Sequence, residues 1–194
     1  MRFRATLIAV ALALNACAIS GCASLASSRE TATSGAFPAD WTGRWTGTIA
    51  TLGDSKLASV AMTLEIAPIA DGRWSWTIIY EGDAGRQVRP YELIAVDAPT
   101  GRFAIDEKNG IVIPVRVLEG TLYATFEVMG SRIELRETLV GAGRDATLVV
   151  EMATIAVEDS TVTGGIEAQA IPEVRAWTPR VVQRALLRRQ ASEE

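Results

Sequence analysis

Ala58, Val60, Met62, Leu64 and Ile66 alternate with Ser59, Ala61, Thr63, Glu65 and Ala67. A period of two over that length predicts a strand with one dry face and one wet face. After the turn signal Asp71-Gly72, the row Trp74, Trp76, Ile78 and Tyr80 alternates with Ser75, Thr77 and Glu81, and the two runs together predict a hairpin. Further runs follow at 86–96, 102–106, 111–118, 121–129, 132–139 and 146–156. Asn109-Gly110, Glu119-Gly120 and Gly130-Ser131 punctuate them as tight turns. Leu122, Ala124, Phe126 and Val128, then Ile133 and Leu135, repeat the alternation against Thr125, Glu127, Arg132, Glu134 and Arg136.

With an opening run at 44–52 and a last one near 161–169, roughly nine or ten short strands are expected. The connections are too short for helical crossovers, so the sheet must be antiparallel. Many short strands without intervening helices predict an all-β meander closed into a barrel, since closure removes aggregation-prone edges. A transmembrane barrel is disfavoured, because the strands are short and the outward rows carry charge. Pro172 ends the β region. Thr178 followed by Pro179 reads as a helix start, and Val181, Val182, Ala185 and Leu186 as one apolar helical face. The stretch from Arg175 to Glu194 has five Arg against two Glu. The expected basic helix either lies on anionic lipid or an acidic partner, or closes one end of the barrel with its arginines solvated.

The front of the chain follows a different pattern. Arg2 and Arg4 precede an apolar run from Ala5 to Ala18 that is too short to span a bilayer comfortably. Ile19-Ser20-Gly21-Cys22 then resembles the bacterial lipobox. That resemblance implies cleavage before Cys22, diacylglycerol on its sulfur, a further acyl chain such as palmitate on the new amino terminus, and membrane anchorage through several chains. The residue after the anchor is Ala23 rather than Asp, which resembles the outer-membrane default of hosts that sort by this position. Cleavage after Ala16 or Ala18 as an ordinary secretory signal is the alternative, and Leu14-Asn15-Ala16-Cys17 is a second, poorer lipobox-like match. The Ser-, Ala-, Thr- and Gly-rich stretch beyond Cys22 reads as a tether of ~25 Å reach. The expected organisation is therefore signal peptide 1–21, tether 22–39, barrel 40–171 and basic helix 172–194.

The domain must stand on its core. Once Cys17 leaves with the leader, the mature chain has no pair of cysteines to bridge. The whole chain carries 19 Lys+Arg and 23 Asp+Glu, and losing Arg2 and Arg4 moves its formal charge from −4 to −6. Such a balance makes a poor partner for nucleic acid. The chain has no histidine, which excludes Ser-His-Asp and Cys-His hydrolysis and His-held zinc.

Gly43-Arg44-Trp45 resembles the Gly-x-Trp opening of lipocalins and related calycin barrels. In that family the tryptophan packs across the closed end and the glycine admits a close approach of the chain. The resemblance extends loosely through Ala156 and implies a barrel that holds a small apolar ligand, with Gly43 and Trp45 as barrel-closing residues. The chain departs from the family in lacking a Thr-Asp-Tyr-type motif, although Val96-Asp97 stands near its place, and in lacking a disulfide. Haem held by histidine is excluded by inventory.

Two readings of the aromatic row follow. Trp74, Trp76, Ile78 and Tyr80, with Phe126, either line a ligand cavity or fill the core, and an eight-stranded barrel allows both. No cofactor and no catalysis are expected. Asp106-Glu107-Lys108-Asn109-Gly110 lacks the oxygen spacing of a calcium loop and reads as a solvated hairpin tip. Glu65, Glu81, Glu92, Glu127, Glu134 and Glu137 supply carboxylates, but most belong to polar strand faces and nothing places two at catalytic separation. The protein reads as a periplasm-facing, lipid-anchored carrier of a small hydrophobic molecule, or else as a filled module that docks to an unidentified envelope partner.

Overall fold

A computed structural model describes residues 36–52 and 59–191. The expected signal peptide, Cys22 and most of the tether lie outside the described residues. Twelve strands form: β1 (Gly43–Leu52), β2 (Val60–Ala70), β3 (Arg73–Gly82), β4 (Gly85–Asp97), β5 (Arg102–Asp106), β6 (Val112–Leu118), β7 (Thr121–Val128), β8 (Ser131–Val140), β9 (Thr147–Ala156), β10 (Thr161–Ile166), β11 (Ile171–Ala176) and β12 (Val181–Arg189). Ten of them close a barrel in the order β1-β12-β9-β8-β7-β6-β5-β4-β3-β2, while β10 and β11 pair only with each other. Every pairing is antiparallel.

The chain's last element is not the expected helix. Residues 181–189 form a strand, not a helix, and it bridges β1 and β9 to complete the barrel. Gln183, Ala185, Leu187 and Arg189 alternate with Val182, Arg184, Leu186 and Arg188. Ala185 and Leu187 are fully buried, whereas Leu186 is 54% exposed. The barrel thus runs past 171 to Arg189. The expected run near 161–169 is half of a hairpin outside it.

The expected hairpin of β2 and β3 forms with Leu64 opposite Ile78 and Ile66 opposite Trp76. Charges on the outer face pair across strands. Arg44 bonds Glu65, Arg73 and Lys108 both bond Glu92, and Arg184 reaches Glu151 at 2.5 Å. These exposed pairs are each worth only a few tenths of a kcal/mol. The two donors, Lys108 first and then Arg73, hold the Glu92 carboxyl below its usual range.

One end of the barrel is sealed. The segment before β1 turns at Ala39–Trp41 and lays Phe37 and Trp41 against the barrel floor. Phe37 meets Trp41 and Phe103 edge-to-face at 4.9 Å each, and Trp41 lies 6.0 Å from Trp76. Such contacts add to burial because ring edges and faces carry opposite partial charge. Trp45 is fully buried, and its indole N–H donates to the Trp41 carbonyl at 2.8 Å. Arg189 stacks over the Trp45 ring at 4.2 Å while its guanidinium donates to the carbonyls of Thr42 and Asp40. Gly43 has φ +127, and a Cβ there would sit 2.9 Å from the Arg189 guanidinium. Any larger residue at 43 would be strained and would press on that clamp. Gly47 serves a related purpose, since its missing Cβ lets β1 approach the Leu186 carbonyl of β12.

Candidate ligand cavity

Side chains fill the barrel at the sealed end and stop short of filling it above. An inner cavity of about 130 Å³ remains, walled chiefly by Ile49, Met62, Trp76, Ile78, Ile105, Ile113, Phe126, Leu135 and Met152. Toward the opposite end a wider space of about 740 Å³ begins at Ser59, Val60, the Gly82–Gly85 turn, Gln87 and Gln183. The two spaces share Ile49, Tyr80, Arg89 and Met152, so the inner cavity lies directly behind the mouth.

The aromatic row divides between the two parts. Trp76, Ile78, Tyr80 and Phe126 line the cavity. Trp74 instead packs 6.4 Å from Phe103 in the sealed end. Gly43 and Trp45 also belong to the sealed end, and Cys22 lies outside the described residues.

Five titratable side chains reach the cavity: Tyr80 on β3, Arg89 and Tyr91 on β4, Glu107 just past β5, and Glu137 on β8. Glu137 is the outlier. It is 3% exposed, and its Oε2 has no hydrogen-bond partner among the described residues. Its flanking partners in the sheet are Leu122 and Val150. Burial alone pushes its carboxyl up to about 7, because a charge taken out of water without a partner favours its neutral form. Arg89 differs: its guanidinium donates a long 3.5 Å hydrogen bond to the Tyr91 hydroxyl and lies 5.6 Å above the Tyr80 ring. The Tyr91 hydrogen bond, opposed by burial, holds Arg89 above its usual value. Burial pushes the Tyr80 hydroxyl up, with Arg89 opposing and Glu137 reinforcing.

Of these five, Tyr80 is expected from the sequence to line the cavity, Glu107 reads as part of a solvated hairpin tip, Glu137 as one of six candidate carboxylates, and Arg89 and Tyr91 carry no expectation. Among the six glutamates with candidate chemistry, Glu137 belongs to the dry face, not to a polar one. The signal was present, since Ile133, Leu135, Glu137 and Leu139 are spaced by two. In the same way Gln87, Arg89, Tyr91 and Leu93 form one alternating row on β4, which led into the barrel although two of its members are strongly polar.

The Asp106–Gly110 loop offers a cation little. Asp106 Oδ1 accepts the Lys108 N–H at 2.8 Å, and Asn109 Oδ1 accepts that of Ile111 at 2.9 Å. Among the described residues no cluster of acidic or cysteine side chains is arranged to hold a metal ion. Compared with protein-family models, with curated proteins and with solved structures, the chain has no significant match in any of the three.

Proposed function

We propose that this chain is a lipid-anchored binding protein of the bacterial envelope. Acyl chains on Cys22 hold it at the outer membrane facing the periplasm. The lipocalin-like barrel takes up a small hydrophobic molecule, acting by binding alone, without catalysis or a cofactor. The observation that carries the binding half is the unfilled interior behind a wide mouth. Ten strands enclose a wider interior than eight, and here the side chains leave part of it empty. Apolar walls with a few convergent polar groups are the usual composition of a small-molecule site. The anchoring half rests on the lipobox resemblance of Ile19-Ser20-Gly21-Cys22.

Native mass spectrometry of gently purified protein tests the first half. Retained mass equal to a small apolar molecule is expected, and a barrel that neither retains nor takes up any such compound would overturn it. For the second half, Cys22→Ser should abolish detergent partitioning and release the protein from membranes; a membrane-bound variant would refute the anchor.

A second reading has one observation in its favour. The β10–β11 hairpin stands outside the barrel sheet and exposes Val162, Ile166, Ile171 and Val174. Exposed apolar residues on one small element suit docking to another envelope component. Deleting residues 161–176 should then weaken envelope association while leaving ligand uptake intact.

A further inference from the structure

The geometry points to an apolar amine as the ligand, a short hydrocarbon chain or single ring whose ammonium group is received by Glu137 inside the barrel. This inference rests on the binding reading above and adds the chemistry of the bound group.

Three observations carry it. First, Glu137 is a carboxyl buried in the cavity wall with an oxygen that bonds nothing among the described residues. An ionised carboxylate only accepts hydrogen bonds, so the complement of that oxygen is a donor. Second, the charges in the cavity do not balance locally. Glu137 forms no ion pair among the described residues, and the one cation lining the cavity, Arg89, turns instead to the Tyr91 hydroxyl and the face of the Tyr80 ring. The inner end of the site is therefore short of one positive charge, and a ligand that brings it would relieve the cost of a lone buried ion. A fatty carboxylate would set two anions against each other there. Third, the space has the right scale and depth. A cavity of about 130 Å³ is close to the ~150 Å³ that accommodates a benzene ring in a dry protein interior. Glu137 lies three residues from the sealed end of β8, while Arg89 lies nearer the mouth end of β4. An amine bound at Glu137 thus extends its apolar body past Ile78, Phe126 and Leu135 toward the wider space.

Binding of the amine follows the ionisation of Glu137. Tyr80, Arg89, Tyr91 and Glu107 are the other titratable groups facing the cavity. Glu107 is the other carboxylate facing the cavity, and the Glu137→Gln variant below separates the two.

The test uses the purified full-length chain and three probes of equal length: n-hexylamine, hexan-1-ol and hexanoate. Binding is read by native mass spectrometry and by the fluorescence of Trp76 in the cavity wall. At pH 8 hexylamine should bind at least tenfold more tightly than hexanol, with hexanoate weakest. Between pH 8 and pH 5.5 the amine should lose about tenfold in affinity as Glu137 takes up a proton, while hexanol stays constant. Glu137→Gln should erase both the amine preference and the pH dependence and keep the hexanol affinity. If that variant does not fold, the pH profile of the unaltered chain against the amine–alcohol pair decides the matter alone. Equal affinity for amine and alcohol, or tightest binding of hexanoate, would overturn the amine assignment and leave the carrier reading standing. Failure of all three probes to bind would overturn both.

Discussion

The sealed end and the cavity of this barrel are built from the same alternating strands, yet they obey different packing rules. At the sealed end Phe37, Trp41, Trp45, Trp76 and Phe103 interlock, and Arg189 satisfies the backbone carbonyls that the turn at Ala39–Trp41 leaves free. A few residues higher the interior gives way to empty space, with a carboxyl in its wall that meets no donor among the described residues. Dense packing is what stability demands, and it holds at the sealed end even though Trp41 Nε1 and Arg189 Nε, like Glu137 Oε2 in the cavity wall, have no hydrogen-bond partner among the described residues. A void and an orphaned charge are tolerated only where the rest of the fold offsets them. The contrast divides the labour: one end holds the barrel shut, and the other carries a defect with the shape of a binding site.

Breaking the sealed end should have the largest effect. Trp45→Ala removes a fully buried indole, its bond to the Trp41 carbonyl and the ring beneath Arg189. It should cost about 3–5 kcal/mol in denaturant unfolding, and a loss below about 1 kcal/mol would mean that the end is not the keystone its packing suggests.

The cavity should respond in the opposite direction. Glu137 has a folded-state pKa near 7 against an ordinary value of 4.5, so the folded chain holds its proton more tightly than the unfolded one. Stability therefore falls as pH rises from about 4.5 through 7, and the full penalty of about 3 kcal/mol applies above that window. Glu137→Met should raise stability at pH 8 by up to about 3 kcal/mol, with a much smaller change at pH 4.5. Chemical denaturation at the two pH values checks this, and equal effects at both would remove Glu137 as a source of strain.

The smallest effect belongs to the outer face. Arg184→Ala breaks the ion pair with Glu151, both of whose partners are partly exposed, so the loss should be only about 0.2–1 kcal/mol and should shrink in high salt. A thermal shift as large as that of Trp45→Ala would contradict the view that this barrel is stabilised from within.

How much of this was legible depended on whether the determining pattern was local. β2 and β3 were readable because their alternation is long, apolar on one face and bracketed by Asp71-Gly72. Residues 181–189 were not, because Val181, Val182, Ala185 and Leu186 fit a helical stripe while Ala185 and Leu187 fit a strand row. Over nine residues both periods score. The choice was made by the open edges of β1 and β9, distant in the chain, which a helix would have left unpaired. The aromatic row reads as one unit along the chain, although Trp74 belongs to the sealed end and Trp76 to the boundary with the cavity.

By itself the sequence determined an antiparallel all-β body with alternating rows, its turns and a front segment of lipobox type, since these are properties of neighbours along the chain. Only the tertiary structure decided that the barrel closes with ten strands, that its last strand supplies the arginine under which Trp45 lies, and that Glu137 is buried beside empty space. Each of those depends on residues brought together from different strands, some as far apart in the chain as β1 and β12, and the energy of a buried charge or a void exists only once the surrounding walls are in place.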